Sequence, residues 1–309
     1  MPKDVYIQAD APDPVLENDR VLSLVRRHVP GVRAVTGVDE SGGEARTYAI
    51  DTDIIFKTQR PQQLRPRTSL EKENFFLRQI VALLPELSVP RVLGYGREDK
   101  FIEYTVMTRV PGVALRHANS DSAARLEVMR ELGYTLRCIH QLPQVPFIAS
   151  GLFPGDGSAA NTRERFAELF DDSVARLRKA KAPWSWPLSP EQVVRRALAL
   201  LPDSEQRVAL HSNPWHDHTF VDPTCGKFTG LIDFGDAYIS HPALDLRRWR
   251  TPEERAALME GYTQQQPVSE EFMQTWLVAQ LAGNLTAIAQ NPTLGPAAHA
   301  DLVRLLPAL

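Results

Sequence analysis

The stretch from His211 to Asp236 reads HSNPWHDHTFVDPTCGKFTGLIDFGD, and the rest of the chain is best interpreted outward from it. It begins with a polar loop in which His211 is followed by Asn213 and, five residues later, by His218. It ends with a short apolar run that leads into Asp233 and a glycine turn. A strand that delivers a carboxylate to a tight turn suits a hard cation such as Mg²⁺, because such ions prefer oxygen ligands.

Size and composition favour an ordinary globular protein. The chain has 309 residues, of which 43% are hydrophobic and 24% charged, enough for about two domains. A net charge of −3 argues against nucleic acid or anionic membrane as partners. Neither an apolar N-terminal signal nor a membrane-length apolar run occurs, so a cytoplasmic location is expected. The two cysteines, Cys138 and Cys225, are too few for a disulfide framework and are expected to be buried free thiols.

The first part of the chain predicts an antiparallel sheet. Residues 32–38, 45–51 and 54–58 alternate like strands, and residues 89–96 and 101–109 add two more to make five. The turn at Gly42 and Gly43 is either a plain hairpin loop or one whose backbone N–H groups approach a phosphate. Lys57 favours the second interpretation, since a lysine on the third strand can reach nucleotide phosphates. A helix over residues 69–84 carries Glu73 in its first turn.

Beyond Pro111-Gly112, where a domain boundary is predicted, the strands are expected to stop and helices to take over. Residues 143–160 are expected to form a long loop. The predicted helices span residues 122–142, 161–180, 190–201, 252–263, 270–288 and 296–305.

The order of these elements resembles the aminoglycoside phosphotransferase family, relatives of protein kinases that phosphorylate small molecules. The resemblance runs from about residue 20 to 250. It implies an α+β, two-lobed, protein-kinase-like fold with an N-terminal antiparallel five-stranded sheet plus helix and a mainly helical C-terminal lobe. The nucleotide-binding lobe would span residues 1–110 and the helical lobe, with the catalytic loop and acceptor site, residues 111–309. The site would lie in the cleft between the lobes.

The resemblance also implies roles for individual residues. ATP or GTP would be the phosphoryl donor and Mg²⁺ its metal ion. Glu73 would pair with Lys57, and the backbone at Thr108 and Val110 would bind the adenine edge. Asp233 would hold the metal. The residues expected to bind the nucleotide are therefore Gly42, Gly43, Lys57, Glu73, Thr108 and Val110.

The catalytic loop departs from the family pattern H-x-D-x-x-x-x-N. Asn213 stands where the family has Asp, and an amide cannot serve as a general base. His218 stands where the family has a metal-binding Asn, and imidazole is a poor ligand for Mg²⁺. Three hypotheses stay open. Asp217 supplies the missing base or metal oxygen, or the His216-Asp217-His218 group binds a softer ion such as Zn²⁺ or Mn²⁺. In the third, catalysis has been lost, which leaves either a pseudokinase that binds nucleotide or a partner or an inert kinase-like shell.

Features outside the loop receive less specific predictions. Asp245, in an element that resembles the family's D-P-x-x-D-L, would hydrogen-bond backbone near the catalytic loop, and His140 would be a structural hydrogen-bonding residue. Trp184 and Trp186 either line the site of a small-molecule hydroxyl acceptor or anchor the core. A cationic acceptor could be received by acidic side chains that are otherwise surface charges, namely Asp156, Glu260, Glu270 and Glu271. No particular acceptor or oligomeric state is predicted.

Overall fold

The structure, a computed structural model, describes residues 6–66, 68–98, 100–118, 121–180, 184, 187–249, 251–290 and 295–305. The chain divides into two compact units. The first contains Met1–Asn119, Leu142–Pro154 and His216–Tyr238. The second contains Ser120–Gln141, Gly155–Trp215 and Ile239–Leu309. None of the helices in the described part of the chain is long and apolar enough to cross a membrane.

The first unit is built on an antiparallel five-stranded sheet, as predicted. Its strands lie in the order β1-β2-β3-β5-β4. Side chains of β2 alternate between partly exposed and buried, which is the pattern that a half-buried strand requires. With the sheet in one unit and mainly helices in the other, the predicted fold class is confirmed. The strands are β1 (Val35–Asp39), β2 (Ala45–Ile50), β3 (Ile54–Gln59), β4 (Val92–Arg97) and β5 (Glu103–Thr108).

One face of this sheet is covered by α1 (Asn18–Arg26). Apolar residues three and four apart in α1 form a single stripe, which explains why the helix packs flat on the sheet. The stripe and the sheet share one core, in which Val21, Leu24, Val25, Tyr48, Ile50, Phe56 and Val106 are each at most 1% exposed.

The helix α2 (Leu70–Leu83) begins where Ser69 accepts a hydrogen bond from the Lys72 N–H. Phe76, on its buried face, contacts the rings of Phe147 and Phe153. Phe147 belongs to α4 (Val145–Ser150), so the prediction of a continuous loop over residues 143–160 is wrong. Pro146 is compatible with this helix because it lies in the first turn, where the missing proline N–H would have no hydrogen-bond partner within the helix.

Short strands continue after the predicted boundary, so the expectation that strands stop there is also wrong. Strands β6 (Val113–Ala114), β8 (Thr219–Val221) and β9 (Phe228–Leu231) form a three-stranded sheet in the first unit. Strand β7 (Val208–Leu210) pairs with β10 (Tyr238–Ser240). Runs of two to four residues are too short to display a period of two. Cys138 is buried as predicted, whereas Cys225 is exposed, because it lies in the polar turn between β8 and β9.

The second unit is mainly helical. Two of its helices, α3 (Ser122–His140) and α7 (Pro252–Thr263), approach each other closely at glycines: a side chain at Gly133 of α3 would clash with the Leu258 carbonyl of α7, and one at Gly261 of α7 with the Arg130 carbonyl of α3. Trp184 donates through Nε1 to the Leu188 carbonyl at 2.8 Å, while Trp186 lies outside the described residues. The helices are α3 (Ser122–His140), α5 (Ala159–Ala180), α6 (Pro190–Leu200), α7 (Pro252–Thr263), α8 (Glu270–Gln290) and α9 (Gly295–Leu305).

Candidate functional site

The first unit brings three of the predicted residues together around the Lys57 ammonium group. Lys57 lies on β3, between Thr47 of β2 and Thr105 of β5. Its Nζ lies 2.9 Å from Oε2 of Glu73 and 2.6 Å from Oδ1 of Asp233. The Glu73 side chain is 1% exposed, whereas that of Asp233 is 36% exposed. Asp233 therefore offers the more accessible carboxylate of the pair.

Lys57, Glu73 and Asp233 form a triad in which the two carboxylates keep the lysine protonated. Burial alone would lower the pKa of Lys57, but the carboxylates of Asp233 and Glu73 outweigh it and raise that pKa above its ordinary value. Lys57 is therefore a cation throughout the physiological range. Burial raises the pKa of Glu73, and the charge of Asp233 raises it further against the opposing effect of Lys57.

Asp233 occupies a strained turn that follows β9. Its backbone φ of 70° lies in the left-handed region, which costs a residue with a side chain about 1–3 kcal/mol. The next N–H, that of Phe234, donates to Oε1 of Glu73 at 3.2 Å. The Phe234 ring is fully buried and contacts the Phe76 ring at 5.1 Å between centroids. Glu73 thus holds both the lysine and the backbone that presents Asp233.

His218 lies beside Asp233, while its predicted role as a metal ligand stays a prediction. Its Nε2 is 3.2 Å from Oδ2 of Asp233. Its carbonyl accepts from the Ile232 N–H at 3.0 Å, which ties the loop to the strand that leads into Asp233. A ring nitrogen that donates a hydrogen bond to a carboxylate does not at the same time present a lone pair to a metal ion.

Asp217 is bound by a residue that the sequence did not point to. Its Oδ1 lies 2.7 Å from Nη1 of Arg116, and the Arg116 N–H donates to the His216 carbonyl at 3.1 Å. An ion pair at this distance competes with any other use of the Asp217 carboxylate. No sequence signal joins Arg116 to this loop, because the pairing depends on the chain path between β6 and β8.

A metal ion fits part of this arrangement. Magnesium in nucleotide sites is held by one or two carboxylates, phosphate oxygens and water. Asp233 provides one such carboxylate. In the part of the chain that the structure describes, no group of three or more His, Cys, Asp or Glu side chains is placed to hold an ion. The residues therefore fit a nucleotide-bound Mg²⁺, and the hypothesis of a zinc or manganese site at His216-Asp217-His218 lacks a ligand set.

The glycine turn between β1 and β2 is anchored by Arg60, whose Nη1 donates to the Gly42 carbonyl at 3.1 Å. Gly42 has no room for a side chain, since a Cβ there would lie 2.7 Å from the Ala45 carbonyl oxygen, whereas Gly43 is open. At the end of β5, the Thr108 N–H already donates to the Arg91 carbonyl at 2.9 Å. Contacts of an adenine edge with Thr108 and Val110 stay a prediction.

The second unit contains the first part of the catalytic loop. Asp245 accepts from the N–H groups of His211 at 2.8 Å and Ser212 at 2.7 Å, which is the backbone role predicted for it. His140 binds Asp245 at 3.0 Å through Nε2 and the Tyr262 hydroxyl at 2.9 Å through Nδ1. Burial works against ionisation of Asp245, but its bonds to His140 and His211 outweigh burial and lower its pKa.

Asn213 follows this anchored pair. Its N–H donates to Nδ1 of His211 at 3.2 Å, and its carbonyl accepts from the Trp215 N–H at 2.8 Å. Ser212 has a φ of 80°, a strained conformation that is stabilised by the hydrogen bonds which the His211 and Ser212 N–H groups donate to Asp245. The backbone of residues 211–213 is thus held by hydrogen bonds to Asp245 and His211, and at position 213 the departure from the family pattern lies in the side chain.

Comparison with known proteins adds an independent finding. The sequence model of the phosphotransferase enzyme family, APH, matches residues 36–293. The aminoglycoside 3'-phosphotransferase of Streptomyces ribosidificus is 29% identical over 153 residues, which are 48% of this chain and 53% of that protein. The corresponding enzyme of Streptomyces fradiae is 28% identical over 151 residues, 48% and 52% of the two chains. The chain thus spans about half the length of these curated relatives.

Solved structures are similar over nearly the whole chain. Macrolide 2'-phosphotransferase MphH from Brachybacterium faecium has a TM-score of 0.59 at 19% identity, covering 92% of this chain and 95% of that one. The GDP complex of aminoglycoside 2'-phosphotransferase-IIIa has a TM-score of 0.59 at 14% identity, covering 94% and 98%. At these identities the likeness shows that the fold is shared.

Proposed function

Because the chain belongs to the phosphotransferase enzyme family APH, we propose that it transfers the terminal phosphoryl group of ATP or GTP to a hydroxyl of a small molecule. The observation that carries this proposal is the triad in which one ammonium group lies within 2.9 Å of two carboxylates, Glu73 and Asp233. Phosphoryl transfer depends on such fixed charges more than on covalent chemistry by the protein. Nucleotide would bind in the first unit.

Each member of the triad has a distinct task under this proposal. Lys57 would exchange part of its contact with Asp233 for nucleotide phosphate oxygens, and Glu73 would keep it in place. Asp233 would hold Mg²⁺, which when bound neutralises phosphate charge as it develops. Gly42 and Gly43 would leave room for phosphate near backbone N–H groups.

The residue at position 213 cannot accept the proton of the acceptor hydroxyl. An amide at Asn213 can orient a hydroxyl through its oxygen but cannot accept its proton, and loss of a general base costs about 10²–10⁴-fold in rate. A loose transition state demands little of a base, so slow turnover is expected. Asp217 is the carboxylate proposed to take over this task, provided that Arg116 releases it.

The proposed acceptor class draws its support from the curated relatives, which are named aminoglycoside 3'-phosphotransferases. Of the acidic side chains considered for a cationic acceptor, Asp156 is unavailable. It is 5% exposed, and both of its oxygens bind Arg165 at 2.7 Å. Glu260 pairs with Arg130 at 2.8 Å. Neither carboxylate offers an unengaged charge to an acceptor.

A second candidate function is a nucleotide-binding pseudokinase without phosphoryl transfer. It is favoured by two observations, the amide at Asn213 and the ion pair that occupies Asp217. Such a protein would bind Mg²⁺-nucleotide through the same triad. It would not release ADP or GDP in response to any acceptor.

The test measures acceptor-dependent release of ADP and GDP over a panel of aminoglycosides, macrolides, choline and sugars. We expect slow turnover with at least one acceptor, abolished in Asp233→Asn. Asp222→Asn is the matched control, since it makes the same change at an exposed turn between β8 and β9. Turnover in the Asp233→Asn variant equal to wild type would refute the proposed role of the triad.

Two further variants separate the candidates. Asn213→Asp restores the family's base and is expected to raise kcat for a protein that lacks one. Asp217→Asn is expected to lower kcat without weakening nucleotide binding if Asp217 accepts the proton. Nucleotide binding by wild type with no turnover, together with turnover in Asn213→Asp, would establish the pseudokinase alternative.

A further inference from the structure

The segment that begins α2 is bonded to the turn that presents Asp233 at every residue from 234 to 237. Of these four contacts, two use backbone groups of the turn and side chains of α2, one joins two side chains, and one joins two backbone groups. The hydrogen bonds run from Phe234 N–H to Glu73 Oε1 at 3.2 Å, Ser69 N–H to the Gly235 carbonyl at 3.3 Å, Thr68 Oγ1 to Asp236 Oδ1 at 2.5 Å, and Lys72 Nζ to the Ala237 carbonyl at 2.7 Å.

Lys72 is the unexpected member of this set. Its side chain is 2% exposed, and Ala237 is fully buried. Placing an ammonium group in the interior costs far more than placing an apolar side chain there, unless its hydrogen bonds are needed. A methionine would fill the same space without that cost. The charge at Lys72 therefore requires an explanation other than packing.

The position of the Ala237 carbonyl supplies one. It lies four residues after Asp233, at the far end of the turn, while Glu73 holds the near end through the Phe234 N–H. Neighbouring residues of one helical turn thus hold both ends of the turn that Asp233 begins. Because Asp233 has a left-handed backbone, release of either end would let it relax to a more favourable φ and move its carboxylate.

We propose that Lys72 is a positioning residue for Asp233, and that its bond to the Ala237 carbonyl keeps that carboxylate where a nucleotide-bound Mg²⁺ requires it. This inference rests on the proposed function. In this role Lys72 contacts neither the metal nor the nucleotide. It determines how strongly Mg²⁺ increases the affinity for nucleotide. Loss of the bond should therefore weaken nucleotide binding in Mg²⁺ and leave binding in EDTA unchanged.

The test is the ratio of nucleotide dissociation constants measured in EDTA and in Mg²⁺, by calorimetric titration of ATP and GTP. For wild type we expect a ratio well above one. For Lys72→Met the ratio should fall about tenfold, the loss expected for a hydrogen bond from a charged group. Thr68→Val, which removes one hydroxyl near the surface, should lower the ratio in the same direction and serves if Lys72→Met does not fold.

Ile80→Ala is the control for a merely structural effect. Ile80 is a fully buried residue of the same helix, and its truncation should lower the melting temperature without changing the ratio. A wild-type ratio in Lys72→Met, or in Thr68→Val where only that variant folds, would overturn the inference alone. A ratio of one in wild type would overturn the proposed function and the inference with it.

Discussion

Substitution of Lys57 by methionine tests whether the triad is held by charge. The substitution leaves Glu73, which is 1% exposed, with a buried carboxylate and no cation at 2.9 Å. At an effective dielectric constant of about 20, the Coulomb energy lost at that distance is about 6 kcal/mol before desolvation is considered. Removing one partner of a buried pair costs about 3–5 kcal/mol net. The Asp233 pair adds about 1 kcal/mol or less, because its carboxylate is partly solvated.

The loss should depend on pH in a defined direction. Without Lys57, the strongest influence that lowers the pKa of Glu73 is gone, so its folded pKa lies further above the unfolded value than in wild type. A carboxyl group with a raised folded pKa contributes stability at low pH that disappears as the pH rises through that pKa. Lys57→Met should therefore be only mildly destabilised at pH 5 and destabilised by about 3–5 kcal/mol at pH 8.

A second substitution provides the control. In Glu73→Gln, Lys57 keeps Asp233, and the new amide oxygen can still accept from the Phe234 N–H, so we expect a loss of about 1–2 kcal/mol. The double variant should recover about 2–3 kcal/mol relative to the sum of the single losses. Urea unfolding followed by tryptophan fluorescence at both pH values measures all four proteins. Additive losses, or a Lys57→Met loss that does not grow with pH, would refute this account.

Three further predictions concern other parts of the chain. Arg116→Met should change the free energy of unfolding by less than about 1 kcal/mol, because the ion pair between Arg116 and Asp217 is half exposed. The same substitution should raise kcat by releasing Asp217. An unchanged or lower kcat would mean that Arg116 holds Asp217 in place. Burial, with Arg207 and His140 nearby, lowers the pKa of His241 to about 3. The unfolded state therefore binds more protons below about pH 6.5, so wild type should lose about 2 kcal/mol between pH 6.5 and 5, and His241→Asn should lose less in parallel denaturation curves. Finally, Mg²⁺ without nucleotide should leave the melting temperature unchanged, since a single carboxylate cannot hold the ion; a rise at millimolar Mg²⁺, absent with Asp233→Asn, would contradict this.

The elements with a clear period were predictable from the sequence. The helix with Glu73 and the long helices of the second unit follow from apolar spacing over ten or more residues, and the strand with Lys57 follows from a short apolar run. Their ends were less predictable: β1 begins at Val35 rather than at residue 32, and β4 at Val92 rather than at residue 89. Strand ends depend on partners in the sheet, which local sequence does not contain.

The contacts that modify the site were not predictable. Arg116 reaches Asp217 across about a hundred residues of sequence, and Lys72 reaches the Ala237 carbonyl across 165. The residue type alone does not show whether a lysine is buried or exposed. A sequence pattern identifies residue types that are suited to a reaction. Which neighbouring side chains pair with a given carboxylate is seen only in the folded structure.

The charges of the catalytic-loop residues and of their contacts together determine which carboxylate has capacity for a cation. Asn213 removes a carboxylate from the family pattern, and Arg116 neutralises the nearby Asp217. Glu73 is committed to Lys57 and to the Phe234 N–H. Asp233 is then the carboxylate of the triad with capacity for a cation, and it too is shared with Lys57. Under the proposed function, Mg²⁺ would bind at Asp233 only when nucleotide phosphates draw the lysine away and supply further oxygens, so the ion would bind with the nucleotide and not before it.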